Sequence, residues 1–576
     1  MRQTIEKSFQ TKDGVTLFYR YWPGTGSNAI VLLHRGHEHS GRMAHVPDEI
    51  DLPEFSFFAW DARAHGRSEG VQDGNVTMAT FSADLDQFVR HIEASYEIPT
   101  TNIAIVAQSV GAVIAAAWAH DYAPQIRCQV LASPAFKVKL FVPLAKPSLA
   151  LWHRVYGDFF VNSYVQPGML THDEMRAESY KTDPLIKRPI SARVLLGLYK
   201  TADRVIDDAA AITVPTQLLV SGSDWVVHEA PQFRFYERLG TTNKEYLSFP
   251  GFYHDTLGER DRAKPLAQAR KFILAQFDRP YEAVSSRHAD KRGFTKDEFD
   301  AMSAPACKLS PRTWMYANQR LSMKSGGRLS EGIRLGLATG FDSGATLDYV
   351  YRNKPSGITP IGKLVDKGYL EAIGWRGIRI RKQHVEASIA EAAAALRREG
   401  RKVKIVDIAA GHGRYVLDAV ANVKADHVFL RDYDASNVAA GRGLIAEKEL
   451  NANFEQGDAF DRASLAAIDP KPTIAIVSGL YELFPDNAWL ETSLAGLAEA
   501  IEPRGFIIYT GQPWHPQLEM IARTLTSHRD GKPWIMRRRT QGELDELVRN
   551  AGFRKVAQRI DEFGIFTVSI AERVNA

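Results

Sequence analysis

Ser109 stands in "IAIVAQSVGAVI", between small residues, where an apolar run gives way to a helix-like pattern. A serine hydroxyl is a weak nucleophile, so it needs a base, and the base needs an acid to orient it. Downstream, "LLVSGSDWVV" puts Asp224 just after an apolar run, and "SFPGFYHDTL" puts His254 in a loop after the next. The order serine, aspartate, histidine is the one that a nucleophile held in a strand-to-helix turn requires. Upstream, "VLLHRGHEHSGRM" is a strand-like run followed by a glycine-containing loop. Backbone N–H groups there can face a developing oxyanion, and Gly36 and Val110 are the candidate donors. His34, His37 and His39 have a spacing that resembles a ligand set. With Glu38 and Arg42 beside them they read better as structural, and no metal is expected.

A second cluster lies almost three hundred residues on. "KVKIVDIAAGHGRYV" ends a strand-like run at Asp407 and turns through Ala409, Gly411 and Gly413 before a helix-like pattern. Glycines in such a turn let the chain approach a ligand closely. "FLRDYD" then offers Asp432 at the sequence distance where ribose hydroxyls are held in doubly wound folds, and "FEQGDAF" offers Asp458 for an adenine amino group. No third small residue completes a dinucleotide fingerprint, so the acids bracket a different nucleoside cofactor. Tyr481, Glu482 and His515 follow strand-like runs and are candidates for a general base, with loop packing as the competing role. Thr540 and Glu543 form a capping-box pattern, and Arg537 to Arg539 read as a solvated strand end rather than a phosphate clamp.

The elements that must hold these clusters can be read from the same chain. At 576 residues it exceeds the size at which one core stops growing, so two or more domains are expected. Its 45% hydrophobic and 24% charged residues are those of an ordinary globular protein, and a formal charge of +4 implies neither nucleic acid nor an anionic membrane as partner. Cys128 and Cys307 alone exclude a disulfide framework or a cysteine-only metal site. No signal-peptide pattern and no long uncharged apolar stretch is present, and a cytoplasmic location is expected. Residues 1–280 alternate short β-rich runs with helical segments, residues 281–300 read as a linker, residues 301–384 are mainly helical, and residues 385–576 restart the alternation.

Five motifs in order, "HRGHEHSGR", "WDARAHGRSEG", "AQSVG", "GSDWVV" and "FPGFYHD", resemble the serine α/β-hydrolases of the monoacylglycerol lipase and lysophospholipase group. That group's segments run approximately HGxGEHSGR, DxxGHGxSxG, GxSxG, GxxD and GxxH. The resemblance implies a triad of Ser109, Asp224 and His254, an oxyanion hole at Gly36 and Val110, and a cap over the site at about residues 137–205. Most apolar cap residues are expected to pack against the body of the domain. Arg35 stands where the group usually has glycine, and Ala107 replaces the first glycine of the serine turn. "DIAAGHG", "RDYD", "GDAF" and "SGLYELF", with a closing "AGFRKVAQRIDEFGIFTVSIA", resemble class I S-adenosylmethionine-dependent methyltransferases. This resemblance implies S-adenosyl-L-methionine as cofactor, with Asp407 and Gly411 near its methionine end, Asp432 at the ribose and Asp458 at the adenine. Ala409 departs from the usual glycine.

The expected fold class is α/β in two domains: an α/β-hydrolase fold with a cap insertion and a Rossmann-like class I methyltransferase fold with a helical N-terminal extension. The expected function is bifunctional, hydrolysis of acyl-lipid esters such as monoacylglycerols or lysophospholipids and methyl transfer to an acceptor the sequence does not name. A peptidase or thioesterase in the first half and a cofactor-sensing module in the second are the alternatives. Expected partners are a small-molecule or lipid substrate, with no nucleic acid, no transmembrane segment and transient membrane contact through the cap; the sequence does not speak to oligomeric state.

Overall fold

Apolar runs bounded by turn residues become strands throughout the chain. In the first half these are β1 (Ile5–Gln10), β2 (Thr16–Trp22), β3 (Asn28–Leu33), β4 (Phe55–Trp60), β5 (Ile103–Gln108) and β6 (Cys128–Ala132). After a two-stranded hairpin of β7 (Phe160–Asn162) and β8 (Pro189–Ser191) come β9 (Thr216–Ser221) and β10 (Lys244–Phe249). The main sheet has the order β1-β2-β4-β3-β5-β6-β9-β10, antiparallel across β1, β2 and β4 and parallel beyond. β5 is buried at all six positions, as a strand covered on both faces must be. The computed structural model describes residues 2–71, 76–140 and 145–574, and it divides into two units, Met1–Val284 and Ser285–Ala576.

The insertion between β6 and β9 contains the hairpin and the helices Ala145–Tyr156, Glu174–Thr182 and Ala192–Asp207. Residues 141–144 of the expected cap lie outside the described residues. The apolar stripe of Ala192–Asp207 faces inward through Val194, Leu198, Tyr199, Ala202 and Val205. Ala145–Tyr156 behaves differently, for none of its residues is buried, and Leu151, Trp152, Val155 and Tyr156 are exposed. The expectation that apolar cap residues mainly pack on the body therefore fails for this helix.

In the second unit, β11 (Lys404–Asp407), β12 (His427–Asp432), β13 (Asn453–Gln456), β14 (Ile474–Val477), β15 (Phe506–Gly511), β16 (Phe553–Ile560) and β17 (Thr567–Arg573) form one sheet. Its order is β13-β12-β11-β14-β15-β17-β16, with β17 antiparallel to both neighbours and the rest parallel. The order reverses at β11, so the crevice at the carboxyl ends of β11 and β14 is where a doubly wound sheet binds its ligand.

The expected boundaries at 300 and 384 need correction. Residues 290–300 are built into the second unit: Asp290 is buried and accepts the Asn487 N–H at 3.0 Å, and Thr295 accepts from Arg537 at 3.2 Å. The segment looks like a linker in sequence because its contacts are polar and leave no apolar period. The 384/385 boundary falls within the single helix Ile373–Arg398. The helices upstream share a core with the sheet domain, in which Phe341, Val350, Trp375 and Ile378 pack with Ile521, Trp534 and Phe566. Arg537, Arg538 and Arg539 are buried, not solvated. Arg537 makes paired contacts with Glu543 at 2.9 and 3.0 Å, Arg538 pairs with Glu298 at 2.5 Å, and Arg539 donates to Asn487 at 2.8 Å and to the Tyr481 carbonyl at 2.7 Å. Thr540 caps its helix by accepting the Glu543 N–H at 3.2 Å, while the Glu543 carboxylate turns to Arg537 instead of closing the box.

Candidate active sites

Ser109 sits between β5 and the helix Val110–Tyr122 with φ 55° and ψ −116°, a strained conformation that lifts the side chain out of the turn. The turn is tight because helix and sheet nearly touch. A Cβ on Gly111 would lie 2.5 Å from the His34 carbonyl oxygen, so only glycine fits there. His254 Nε2 lies 2.8 Å from Ser109 Oγ, and its Nδ1 lies 2.8 Å from Asp224 Oδ2. Asp224 Oδ1 accepts the N–H groups of Val226 at 2.7 Å and Val227 at 2.9 Å, which fixes the carboxylate. Burial alone would raise the Asp224 pKa; His254 and the two backbone donors outweigh it and hold the carboxyl below its usual value. All three side chains are buried.

Gly36 and Val110 adjoin across the same space, a Cβ on Gly36 falling 3.0 Å from the Val110 side chain. Both line a cavity of about 790 Å³ that also reaches Ser109 and His254. Its walls include Leu149, Trp152, Val161, Val194 and Leu198 from the cap. No aspartate or glutamate among the described residues lines it. Arg35 lines it too, but its guanidinium is held by Glu38 at 3.0 and 2.5 Å and by Asp255 at 3.3 Å. Burial opposes the Arg35 charge and the two carboxylates outweigh it, so that charge is compensated in place.

The loop histidines each have protein partners. His34 Nδ1 donates to the Arg35 carbonyl at 2.6 Å while Nε2 accepts the Ala62 N–H at 3.0 Å, which specifies the neutral ring. His37 adopts φ 68° where the lipase pattern has glycine, and contacts the Lys187 carbonyl at 2.9 Å. His39 pairs with Asp183 at 2.9 Å. Burial pushes His34 and His37 down, and His65 on the cavity wall to about 3.

In the second unit Asp407 and Asp432 end neighbouring strands, and Asp458 follows the end of β13. Asp432 Oδ2 accepts the Gly411 N–H at 2.8 Å, and its Oδ1 accepts from Asp434 N at 2.9 Å and Asn437 Nδ2 at 3.0 Å. A carboxylate has about four lone-pair sites, so a place on Oδ2 remains for a hydroxyl donor. Asp458 is exposed and its Oδ1 accepts the Phe460 N–H at 2.8 Å. Gly411 and Gly413 take φ 57° and 75°. A Cβ on Gly413 would meet Leu430 at 2.7 Å, a packing requirement, whereas one on Gly411 meets nothing nearer than the Gly344 Cα at 3.5 Å. This set of acceptor carboxylates beside a side-chain-free turn fits a ribonucleoside.

Asp407 is wholly buried, accepts the Tyr415 hydroxyl at 2.5 Å and the Ala409 N–H at 3.0 Å, and is pushed up to about 7, chiefly by burial. Its contacts therefore brace the turn. Tyr481 is buried with its hydroxyl on Ser493 Oγ at 3.1 Å, so it packs the loop. Glu482 pairs with Arg381 at 3.4 Å, and both line a second cavity together with His515. Sequence reading missed Gly344, Tyr415 and Asn437; the last lies five residues beyond Asp432, one helical turn into the next helix, a spacing that could have been searched.

Comparison with known proteins bears on both halves. Residues 269–573 match the family described as "Putative methyltransferase", and residues 25–261 match that described as "Serine aminopeptidase, S33". The Escherichia coli (strain K12) protein named "Uncharacterized protein YnbC" is 54% identical over 574 residues, 99% of this chain and 98% of that protein. The "Monoacylglycerol lipase" of Mycolicibacterium smegmatis is 26% identical over 284 residues, 47% of this chain and 97% of that protein. Among solved structures, the monoacylglycerol lipase of Paleococcus ferrophilus aligns with a TM-score of 0.41 at 20% identity, over 45% of this chain and 99% of its own. No described helix is long and apolar enough to cross a membrane. The protein is an enzyme that joins a lipase-like hydrolase half to a methyltransferase half, and the chain belongs to the methyltransferase family matched by residues 269–573.

Proposed function

We propose that the first half hydrolyses carboxylic esters of acyl lipids through an acyl-Ser109 intermediate. The observation that carries this reading is the continuous chain from Ser109 Oγ through His254 to Asp224, at the wall of a large, mainly apolar cavity. His254 Nε2 takes the Ser109 proton as Oγ attacks the ester carbonyl, and Asp224 holds the ring and stabilises its positive charge. The N–H groups of Gly36 and Val110 receive the oxyanion. His254 then passes its proton to the leaving alkoxide, and the same groups activate water for deacylation. The apolar cap walls suit an acyl chain, and the neutral histidines with a compensated Arg35 suit an uncharged head such as glycerol better than a phosphate. An aminopeptidase needs a carboxylate for the substrate ammonium, which the described lining lacks. The exposed Leu151, Trp152, Val155 and Tyr156 would let the cap touch a lipid surface transiently.

In the second half, Ala409, Gly411, Asp432 and Asp458 would hold S-adenosyl-L-methionine, with Asp407 and Gly413 bracing the turn behind them. Asp432 takes the ribose hydroxyls, Asp458 the adenine amino group, and the turn approaches the rest. When bound, that cofactor supplies an electrophilic methyl group. The chain acts in the reducing, aqueous cytoplasm on a small-molecule or lipid substrate. Fluorophosphonate labelling of Ser109, with turnover of p-nitrophenyl acyl esters compared against acyl-thioesters and aminoacyl amides, tests the first half; calorimetry with S-adenosylmethionine tests the second. Preferred turnover of amides, or absence of cofactor heat, would overturn the respective reading.

A further inference from the structure

The second cavity, about 330 Å³, has Gly479 and Gln512 on its wall, the residues that follow β14 and β15. It therefore opens along the carboxyl edge of the sheet that also carries the glycine turn, although Gly411, Asp432 and Asp458 do not line it. Trp375, Ile378, Met520 and Phe566 make apolar walls.

Set into those walls are polar groups that the protein leaves unused. Arg381 Nε, Gln512 Nε2 and Trp534 Nε1 are buried and meet no hydrogen-bond partner, in residues exposed by only 3%, 4% and 8%. His515 is buried, and its Nδ1 accepts the Gln517 N–H at 3.0 Å. Burial pushes this ring down to about 4, so it is neutral, with its proton on an Nε2 that has no hydrogen-bond partner among the described residues. A buried donor without an acceptor is costly, and three of them belong to residues that line one small space. A ligand rich in acceptor lone pairs would satisfy them.

Among the described residues that line the cavity, both carboxylates already serve as acceptors or counter-ions. Asp342 is engaged by Ser527 at 2.6 Å, by His528 N at 2.6 Å and by the His528 ring at 3.0 Å, and Glu482 pairs with Arg381. His515 cannot accept a proton on Nε2 while Nδ1 is occupied. A group that arrives without a proton to lose makes no demand on them. A carboxylate meets both conditions, being acceptor-only and already ionised.

We propose that this cavity binds an apolar carboxylate and presents it as the methyl acceptor. The acceptor role rests on the methyltransferase reading above. One carboxylate oxygen forms the new O–CH3 bond as the S–CH3 bond of a sulfonium donor breaks, the electron pair stays on sulfur, and no proton moves. Donors on Arg381, Gln512 and Trp534, with His515 on the same wall, share the lone pairs of the carboxylate not used in the new bond, and the aromatic walls hold the hydrocarbon body. An ester hydrolase releases acids of this class, so the two halves would act on successive forms of one acyl group.

Calorimetry on the full chain with 4-phenylbutyrate, 4-phenylbutyramide and 4-phenylbutanol tests the site directly. The acid is expected to bind at least about tenfold more tightly than the other two, because hydrogen bonds to a charged partner are the strong ones. Gln512→Met nearly keeps the volume and removes a donor, so it should weaken the acid by about tenfold and leave the alcohol and the melting curve unchanged. Trp534→Phe removes a second donor with a similar loss of acid affinity, together with a lower melting temperature because Trp534 belongs to the aromatic core. Addition of S-adenosylmethionine should yield methyl 4-phenylbutyrate. Equal affinity for the three ligands, no binding of the acid, or unchanged affinity in both variants would overturn the proposal. Cofactor binding without acid selectivity sinks this inference alone. Acid selectivity without cofactor binding sinks the methyltransferase reading and the acceptor role with it, while the carboxylate site stands.

Discussion

Two strand-to-helix turns carry the chemistry proposed for this enzyme, and they are built in opposite ways. At Ser109 the reacting side chains touch one another, serine to histidine to aspartate, and the neighbouring glycine is demanded by a backbone oxygen 2.5 Å from where a Cβ would be. At Gly411 the acids touch backbone donors rather than each other, and the space beside the glycine is free to 3.5 Å. A covalent catalyst can be assembled from its own residues before any substrate arrives. A cofactor site is a set of half-used acceptors, complete only when something binds.

That contrast can be broken by experiment. Ser109→Ala should lower esterase turnover by at least ~10⁴-fold and leave calorimetric S-adenosylmethionine binding as it was. Retained turnover would mean the touching triad is not the catalyst. Asp432→Ala removes the acceptor that ties the glycine turn to β12, and cofactor affinity should fall by about 10–100-fold with esterase kinetics unchanged. Leu149→Trp narrows the cavity from the cap side, so kcat/KM for long-chain p-nitrophenyl esters should fall about tenfold while acetate esters are spared. The smallest effect concerns pH. Asp407 is raised from 3.8 to about 7 by burial, so between those values the folded chain keeps a proton that the unfolded chain has released. Stability of the second unit is then fully present near pH 4 and falls as pH rises toward 7, with a slope approaching ~1.4 kcal/mol per pH unit. Asp407→Asn should flatten that slope in denaturant titrations monitored at several pH values.

The catalytic candidates of the first half were legible because chain order and local motif are strong constraints on a nucleophile turn. Ser109, Asp224 and His254 could be named without knowing that the helix and β3 nearly touch. The placement of Asp407, Asp432 and Asp458 at strand ends was legible for a similar reason, since strand ends recur at regular spacing in parallel sheets. Polar packing was not legible. Asp290, Thr295 and the three arginines 537–539 carry surface-like chemistry in sequence yet are buried with polar partners such as Glu543, Glu298 and Asn487, and no hydrophobic period marks them. The cap helix Ala145–Tyr156 erred the other way, with apolar residues left outside a core. The carboxylate cavity was invisible because its lining comes from Arg381, Gln512, His515 and Trp534, which no local motif joins.

The shared core of Phe341, Val350 and Trp375 with Trp534 and Phe566 has a practical meaning for anyone dissecting this polypeptide. A recombinant fragment started at residue 385 would sever the long helix Ile373–Arg398 and strip several aromatic rings of their cover, inviting aggregation. One started at Ser285 retains the whole buried lattice. The second unit is thus nearly three hundred residues long, and its helices are as much a part of its core as its sheet.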